Sequence, residues 1–377
     1  MSRPPAKGWC PGAYRPMMSG DGLVVRVRPM LGRLTRAQVL GLCQLSQSFG
    51  SGVIDLTSRA NLQIRGVAEA DHEALLEALN GLDLLPDDPD LESRRNILIA
   101  PDWTQGDDSA NIAAELVARL HALPALPAKF GFAIDAGPAP ILTRNSADIR
   151  IERGPDGLLL RADGADTGRA VTVATAVDLA LDLAAWFFET SQGRHKRMAG
   201  LLRDAELPAV WQGQRPFAPR PALTPGSTQT GHILGAGFGQ IDAQALADLI
   251  ETSGASALRT TPWRSILLED AVPADTFGFI TDAEDPLLRI DACPGQPLCT
   301  SAHVETRKLA RDLARLTTKP LHVSGCNKGC ARARATDLTL VGRADGQFDL
   351  VKEGHAWDAP AQRGLTHDDL KTRIGEF

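Results

Sequence analysis

The sequence predicts an α+β protein in which two β-α-β half-units, distant along the chain, form one pseudo-symmetric domain beside an α+β part that holds a cysteine-rich site. Three observations predict this. A strand–helix–strand pattern recurs after about 205 residues, four of six cysteines fall between residues 293 and 330, and an apolar helix lies between the copies.

The first copy begins near Gly20 with the strand Leu23-Val24-Val25-Arg26-Val27. Gly32-Arg-Leu-Thr-Arg-Ala-Gln-Val-Leu then reads as a capped helix start, and Val53 to Ile64 as the returning strands. In the middle segment, Phe130–Ile134, Asp148–Glu152 and Leu158–Arg161 read as strands. The nearly all-apolar run from Ala174 to Thr190 reads as a helix buried on most sides. Proline-rich residues 212–230 read as a linker. The second copy follows, with a helix from Gly239 to Ser253 and the strand region Leu258–Leu268. These breaks divide the chain into 1–88, 89–225, 226–285 and 286–377.

Composition narrows the function. The chain has 377 residues, 43% hydrophobic and 23% charged, with net charge −6, the balance of a soluble globular protein. An acidic total argues against nucleic-acid or anionic-membrane partners. No secretory signal is visible, so a cytoplasmic protein is expected. Charge is uneven: Pro286–Arg343 holds ten Lys/Arg and four Asp/Glu, so it is +6 while the remainder is −12.

The cysteines carry the chemistry. Cys293 and Cys299 form Cys-x5-Cys, and after 26 residues Cys326 and Cys330 form Cys-x3-Cys. Disulfides are unexpected in a reducing compartment. Two pairs of thiolates suit an iron–sulfur cluster or zinc, with unligated core cysteines as the plain alternative, and Cys-x5-Cys is wide for a zinc knuckle. Both pairs lie in turn-forming sequence, and the glycines of Ser324-Gly325-Cys326-Asn327-Lys328-Gly329-Cys330 let backbone N–H groups point at sulfur. A helix over Ser301–Leu316, capped by Thr300-Ser301, would carry Arg307, Arg311 and Arg315 on one face, which reads as a solvated basic face or as a docking patch for an acidic electron donor. His303 and His322 flank the loops and are candidates for iron binding or proton relay. Cys43 reads as core, and Cys10 as a buried thiol or a further ligand.

After two half-repeats, this cysteine pattern resembles the sirohaem-dependent sulfite and nitrite reductase superfamily. Leu56-Thr57-Ser58-Arg59-Ala60-Asn61-Leu62-Gln63-Ile64-Arg65-Gly66 is similar to the superfamily's Thr-x-Arg-x-x-x-Gln-x-x-Gly signature, Ser93-Arg94-Arg95-Asn96-Ile97 to its Arg-Asn segment, and Leu126-Pro127-Ala128-Lys129-Phe130 to its Pro-Arg-Lys-Phe-Lys segment. The resemblance implies ferredoxin-like half-repeats, a 4Fe–4S cluster on Cys293, Cys299, Cys326 and Cys330, and basic residues around a tetrapyrrole: Arg59, Arg65, Arg95 and Lys129, with Arg26, Arg28 and Arg264 behind them. The family's second lysine falls on Gly131, which argues against sulfite or nitrite reduction. Trp9-Cys10-Pro11-Gly12, Arg15-Pro16-Met17 and the Thr-Pro-Trp-Arg core of Leu258–Leu268 resemble the precorrin-3B synthase subfamily instead.

That subfamily resemblance implies an oxidoreductase, a monooxygenase of cobalamin biosynthesis. It would take precorrin-3A and O2, hydroxylate C20 and close a γ-lactone. O2 reacts slowly with closed-shell organics, so the chemistry calls for a cluster or a mononuclear non-haem iron. Gly235-Ala-Gly237-Phe-Gly239 lacks the context of a dinucleotide loop, so electrons derived from NADH would arrive through an electron-donor protein. Two other classes stay open: a sirohaem-dependent sulfite or nitrite reductase, distinguished by a chlorin-type spectrum, and a non-enzymatic iron–sulfur electron-transfer protein, distinguished by the lack of a carboxylate-binding pocket. The catalytic acid and base have no sequence signature.

Overall fold

A computed structural model describes residues 11–377. Trp9 and Cys10 lie outside the described residues. Four five-stranded sheets build the described chain. The first is antiparallel, in the order Met17–Ser19, Gly22–Val27, Leu62–Val67, Val53–Leu56 and Gln240–Asp242. Its counterpart runs Gly226–Thr228, Gly231–Gly235, Ser265–Glu269, Ala257–Thr260 and Arg33–Thr35. Each copy thus lends the strand before its helix to the other copy's sheet, and neither closes its sheet alone.

The helices Arg36–Phe49 and Ala243–Ser253 pack together between the sheets, with Leu42, Cys43, Leu246 and Ile250 in one shared core. Thr35 and Asp242 cap them by accepting from Gln38 N–H (3.3 Å) and Ala245 N–H (2.9 Å). Leu31 (φ 51°) and Phe238 (φ 60°) stand at matching left-handed positions ahead of these caps. The two half-repeats are one pseudo-twofold unit, as the sequence repeat predicts.

The middle sheet runs Arg169–Val171, Gly157–Ala162, Ile149–Gly154, Phe132–Asp135 and Ile97–Ile99, with the last three strands parallel. The helix Val173–Ser191 lays Val177, Ala180, Leu183, Ala184 and Phe187 against it. Its outer face is open, with Phe188 exposed and Asp178 paired to Arg119 at 2.7 Å. The expectation of burial on most sides is corrected: Ala176, Ala180 and Ala184 let the helix sit close on the sheet, while Asp178, Asp182 and Glu189 turn the other face to solvent. The fourth sheet runs Ile290–Ala292, Leu321–Ser324, Thr336–Gly342, Phe348–Gly354 and Gln362–Leu365. Both cysteine loops leave the same ends of its first two strands, which run parallel, and this brings Cys293 and Cys326 together. Among the described residues no helix is long and apolar enough to cross a membrane.

Asp135, wholly buried at the end of its strand, fixes the loop that leads to residues 143–146. Its Oδ2 accepts from Ile141 N–H and Leu142 N–H, both at 2.7 Å, while Oδ1 has no partner among the described residues. Burial lifts its pKa to about 6, against those two N–H groups. A raised carboxyl pKa means that the native state holds the proton more tightly. Its stabilising contribution is therefore full below the unfolded value and lost as pH rises through about 6, a swing of about 3 kcal/mol. Asp135→Asn keeps an acceptor without the charge, so it should flatten stability between pH 4 and 7 and raise it at pH 8. Denaturant melts at those pH values check this, and unchanged pH dependence refutes it.

Candidate functional site

The cysteine loops are built by close backbone approach. Gly325 N–H donates to Cys293 Sγ at 3.2 Å, and Thr306 Oγ1 donates to the Cys293 carbonyl. A Cβ on Gly295 (φ 70°) would meet Thr306 N at 2.8 Å, and one on Gly329 (φ 59°) would press on Trp357. Burial raises the Cys293 and Cys330 thiols, and for Cys330 the neighbouring Cys293, Cys326 and Cys299 raise it further. The four cysteines lie close enough for their charges to interact, and none is in a disulfide. Among the described residues no three His, Cys, Asp or Glu side chains are arranged to hold one metal ion. The soft four-sulfur donor set fits a cluster, the group implied by the family resemblance.

Three corrections follow around these loops. The helix expected over Ser301–Leu316 is only Arg307–Leu313, and Thr306 caps it without a side-chain hydrogen bond. Residues before it wrap the loops instead, with Gln296 N–H donating to Val304 O (2.9 Å) and His303 N–H to Gly325 O (2.9 Å). The basic docking face is also lost. Arg307 is buried and paired with Asp55 at 3.0 Å, Arg311 lies over the Phe238 ring at 5.2 Å, and Arg315 is beyond the helix. Arg65 does not face a cavity. It is buried, pairs with Asp21 (2.8 Å) and Asp55 (3.3 Å), and donates to the Leu298 carbonyl at 3.1 Å. Ser19 Oγ (2.6 Å) and Gly20 N–H (3.2 Å) donate to the same carbonyl, next to Cys299. Gly20 is required there, because a Cβ would stand 2.4 Å from Pro297 O.

Arg264 likewise works behind the site. It pairs with Asp291, which also takes Arg332 at 2.8 Å, and burial lowers its pKa to about 10, with Arg332 and Arg307 adding to the shift. His322 is fully buried; burial, Arg332 and Arg264 depress its pKa to about 4, and its Nε2 has no partner among the described residues. His303 is exposed. Arg28 is paired with Glu92, and Arg95 donates to the Arg28 carbonyl.

Of Lys129, it is the backbone that meets Arg59. Arg59 donates to the Lys129 carbonyl (2.9 Å) and to Ser146 Oγ (3.2 Å), lining a small recess with Asn61, Asn96 and Ser146. Gly131 adjoins this recess. A Cβ there would lie 2.8 Å from the Asn96 carbonyl, so the backbone leaves no room for the reductase lysine without a shift.

Loop 143–146 opens from the recess into two adjoining cavities of about 580 and 490 Å³, both lined by Thr143, Arg144, Asn145 and Arg334. Arg150 (2.7 Å from Asp163) and Arg197 (2.9 Å from Asp148) brace the loop from behind. The larger cavity adds Arg194, Lys196 and Arg203, the smaller one Trp263 and Arg220. Arg144, Arg194, Lys196, Arg203 and Arg334 are exposed, and among the described residues none forms an ion pair. Arg334 follows Cys330 by four positions and donates to the Arg144 carbonyl, so the basic cavity adjoins the cysteine segment. These five cations were not among the sequence candidates; the basic run Arg194–Arg197 after an apolar helix was the one local signal for them.

The fold is similar to that of the nitrite and sulfite reductases. The model of the nitrite/sulfite reductase ferredoxin-like half domain matches residues 15–82. The solved structure of the Mycobacterium tuberculosis NirA protein superposes with a TM-score of 0.68 over 93% of this chain and 79% of that one, at 18% identity. The sulfite reductase [NADPH] hemoprotein beta-component of Afipia carboxidovorans is 28% identical over 119 residues, 26% of this chain and 20% of that one. A precorrin-3B synthase from a Sinorhizobium species is 31% identical over 397 aligned positions, 94% of this chain and 84% of the relative. The chain belongs to the precorrin-3B synthase family.

Proposed function

We propose that this protein is an enzyme of cobalamin biosynthesis that converts precorrin-3A to its C20-hydroxylated γ-lactone with O2. The observation that carries the reading is the basic hollow, where five cations without carboxylate partners among the described residues line adjoining cavities next to the cysteine segment. Precorrin-3A bears eight carboxylates, and guanidinium groups meet these with charge-assisted, often bidentate bonds. Family membership supports the same substrate.

One O2 oxygen enters the hydroxyl and the other leaves as water, with two electrons and two protons from a donor protein. A 4Fe–4S cluster held by Cys293, Cys299, Cys326 and Cys330 would supply single-electron transfer. The chain's own contribution is binding and orientation. Arg144, Arg194, Lys196, Arg203 and Arg334 hold side-chain carboxylates at the rim, and Arg59 meets one at the recess. The Asn96 carbonyl crowds the position of the reductase's proton-donating lysine, which counts against reduction of sulfite or nitrite here.

Neutralising Arg144, Arg194 or Arg203 to Gln should weaken binding of uroporphyrin III, an octacarboxylate probe, by about 1–2 kcal/mol per lost contact, discounted for exposure. Calorimetric titration measures it. Tightly bound sirohaem in the purified protein, with sustained sulfite reduction, would overturn the reading.

A further inference from the structure

We propose that Trp263 is the specificity-determining wall of the hollow, orienting the macrocycle that Arg59 and its neighbours hold by charge. This rests on the tetrapyrrole reading above. The pseudo-twofold repeats one turn in both copies. Thr57 N–H donates to Asn61 O at 2.9 Å, and Thr261 N–H to Ser265 O at 3.2 Å. Thr57 Oγ1 accepts from Arg59 N–H at 3.3 Å, and Thr261 Oγ1 from Trp263 N–H at 3.2 Å. The next residue is left-handed in each turn, Ala60 at φ 54° and Arg264 at φ 56°. Arg59 and Trp263 are therefore structural equivalents, one in each half.

Both turns flank loop 143–146. Arg59 reaches Ser146 from one side, while Trp263 lines the cavity of Thr143, Arg144 and Arg334 on the other. Ala60, Ile141 and Leu142 form one apolar cluster against which Trp263 packs, so the indole is held from behind. Thr260 Oγ1 ties the two turns together by donating to the Ala60 carbonyl at 2.7 Å.

A site with twofold-related walls offers a tetrapyrrole two orientations. Its four rings carry similar acetates and propionates, so charge alone discriminates poorly. Specificity is a difference in affinity between the two poses. Here a guanidinium faces one edge and an indole the equivalent edge. The indole offers a flat stacking face and a single N–H donor, where the guanidinium offers a charged fork matched to a carboxylate. Only one pose places a carboxylate-rich edge on Arg59 and a ring face on Trp263. That fixes which meso carbon is presented for reaction.

The test is anaerobic titration of the full chain with uroporphyrin III, reading affinity, tryptophan quenching and induced Soret circular dichroism. Trp263→Ala should weaken binding about tenfold, and Trp263→Phe should stay within about twofold of the parent. Trp263→Arg makes the two walls alike. It should keep affinity but diminish the induced dichroism, because both poses become populated. Should the Ala variant fail to fold, the Phe and Arg variants carry the test alone. Unchanged affinity and dichroism in the Ala variant, or undiminished dichroism in the Arg variant, would overturn the proposal and leave the tetrapyrrole reading standing. Failure of the parent protein to bind the probe would overturn both.

Discussion

Serine in place of any one of Cys293, Cys299, Cys326 or Cys330 is expected to abolish or convert the visible absorption of the anaerobically isolated protein, with loss of acid-labile sulfide. Thiolate is a far better ligand for iron than a serine oxygen, and the one other described cysteine, Cys43, sits in the half-repeat core and offers no substitute. The Cys293 position should be the least forgiving. Its sulfur is buried and already accepts from Gly325 N–H, so a shorter side chain loses that bond as well as the ligand. Cys43→Ser should leave the spectrum intact, because Cys43 sits in the core of the half-repeat domain, its thiol pushed up to about 12 by burial. Iron and sulfide analysis decides it: stoichiometric zinc without sulfide would remove the cluster proposal.

What the sequence made legible was local or periodic. Two cysteine pairs in turn-rich loops are a short-range pattern, and the half-repeat shows because the same caps and turns recur at Thr35 and Asp242, and at Thr57 and Thr261. The strand exchange between the halves left no trace, since Arg33–Thr35 and Gln240–Asp242 read equally well as the starts of their helices. The helix reads too long toward Ser301 because Thr300-Ser301 has the form of a cap, while residues 300–306 are drawn onto the cysteine loops instead. Arg65 was misplaced for a different reason. A motif gives a residue's type and position but not its partners, and Asp21 and Asp55 take its guanidinium. The basic hollow was hidden because its cations come from three separate stretches, near residues 144, 194–203 and 334, that only the fold brings together.

Asp55→Asn should be the most destabilising change outside the cysteine loops, by about 3–5 kcal/mol. Asp55 bridges Arg65 (3.3 Å) and Arg307 (3.0 Å), with all three side chains at most 9% exposed. Removing its charge leaves two guanidinium groups buried side by side with less compensation. Arg65 retains Asp21, but the Nε and Nη1 of Arg307 already lack partners among the described residues, so Arg307 has nothing to fall back on. The bridge also joins the half-repeat domain to the helix behind the cysteine loops, and Arg65 holds the Leu298 carbonyl beside Cys299. Loss of the bridge should therefore loosen that loop as well as lower global stability. Arg307→Met should be milder, because Asp55 keeps Arg65 and the methionine fills much of the vacated volume. In the double variant the destabilisation should fall short of the sum by about 1–3 kcal/mol, since the second change removes the charge that the first left exposed to its like. Denaturant melts of the four proteins close this cycle. An Asp55→Asn protein within about 1 kcal/mol of the parent, or strictly additive singles, would show that solvent reaches the bridge and that the two parts are held together by their apolar contacts alone.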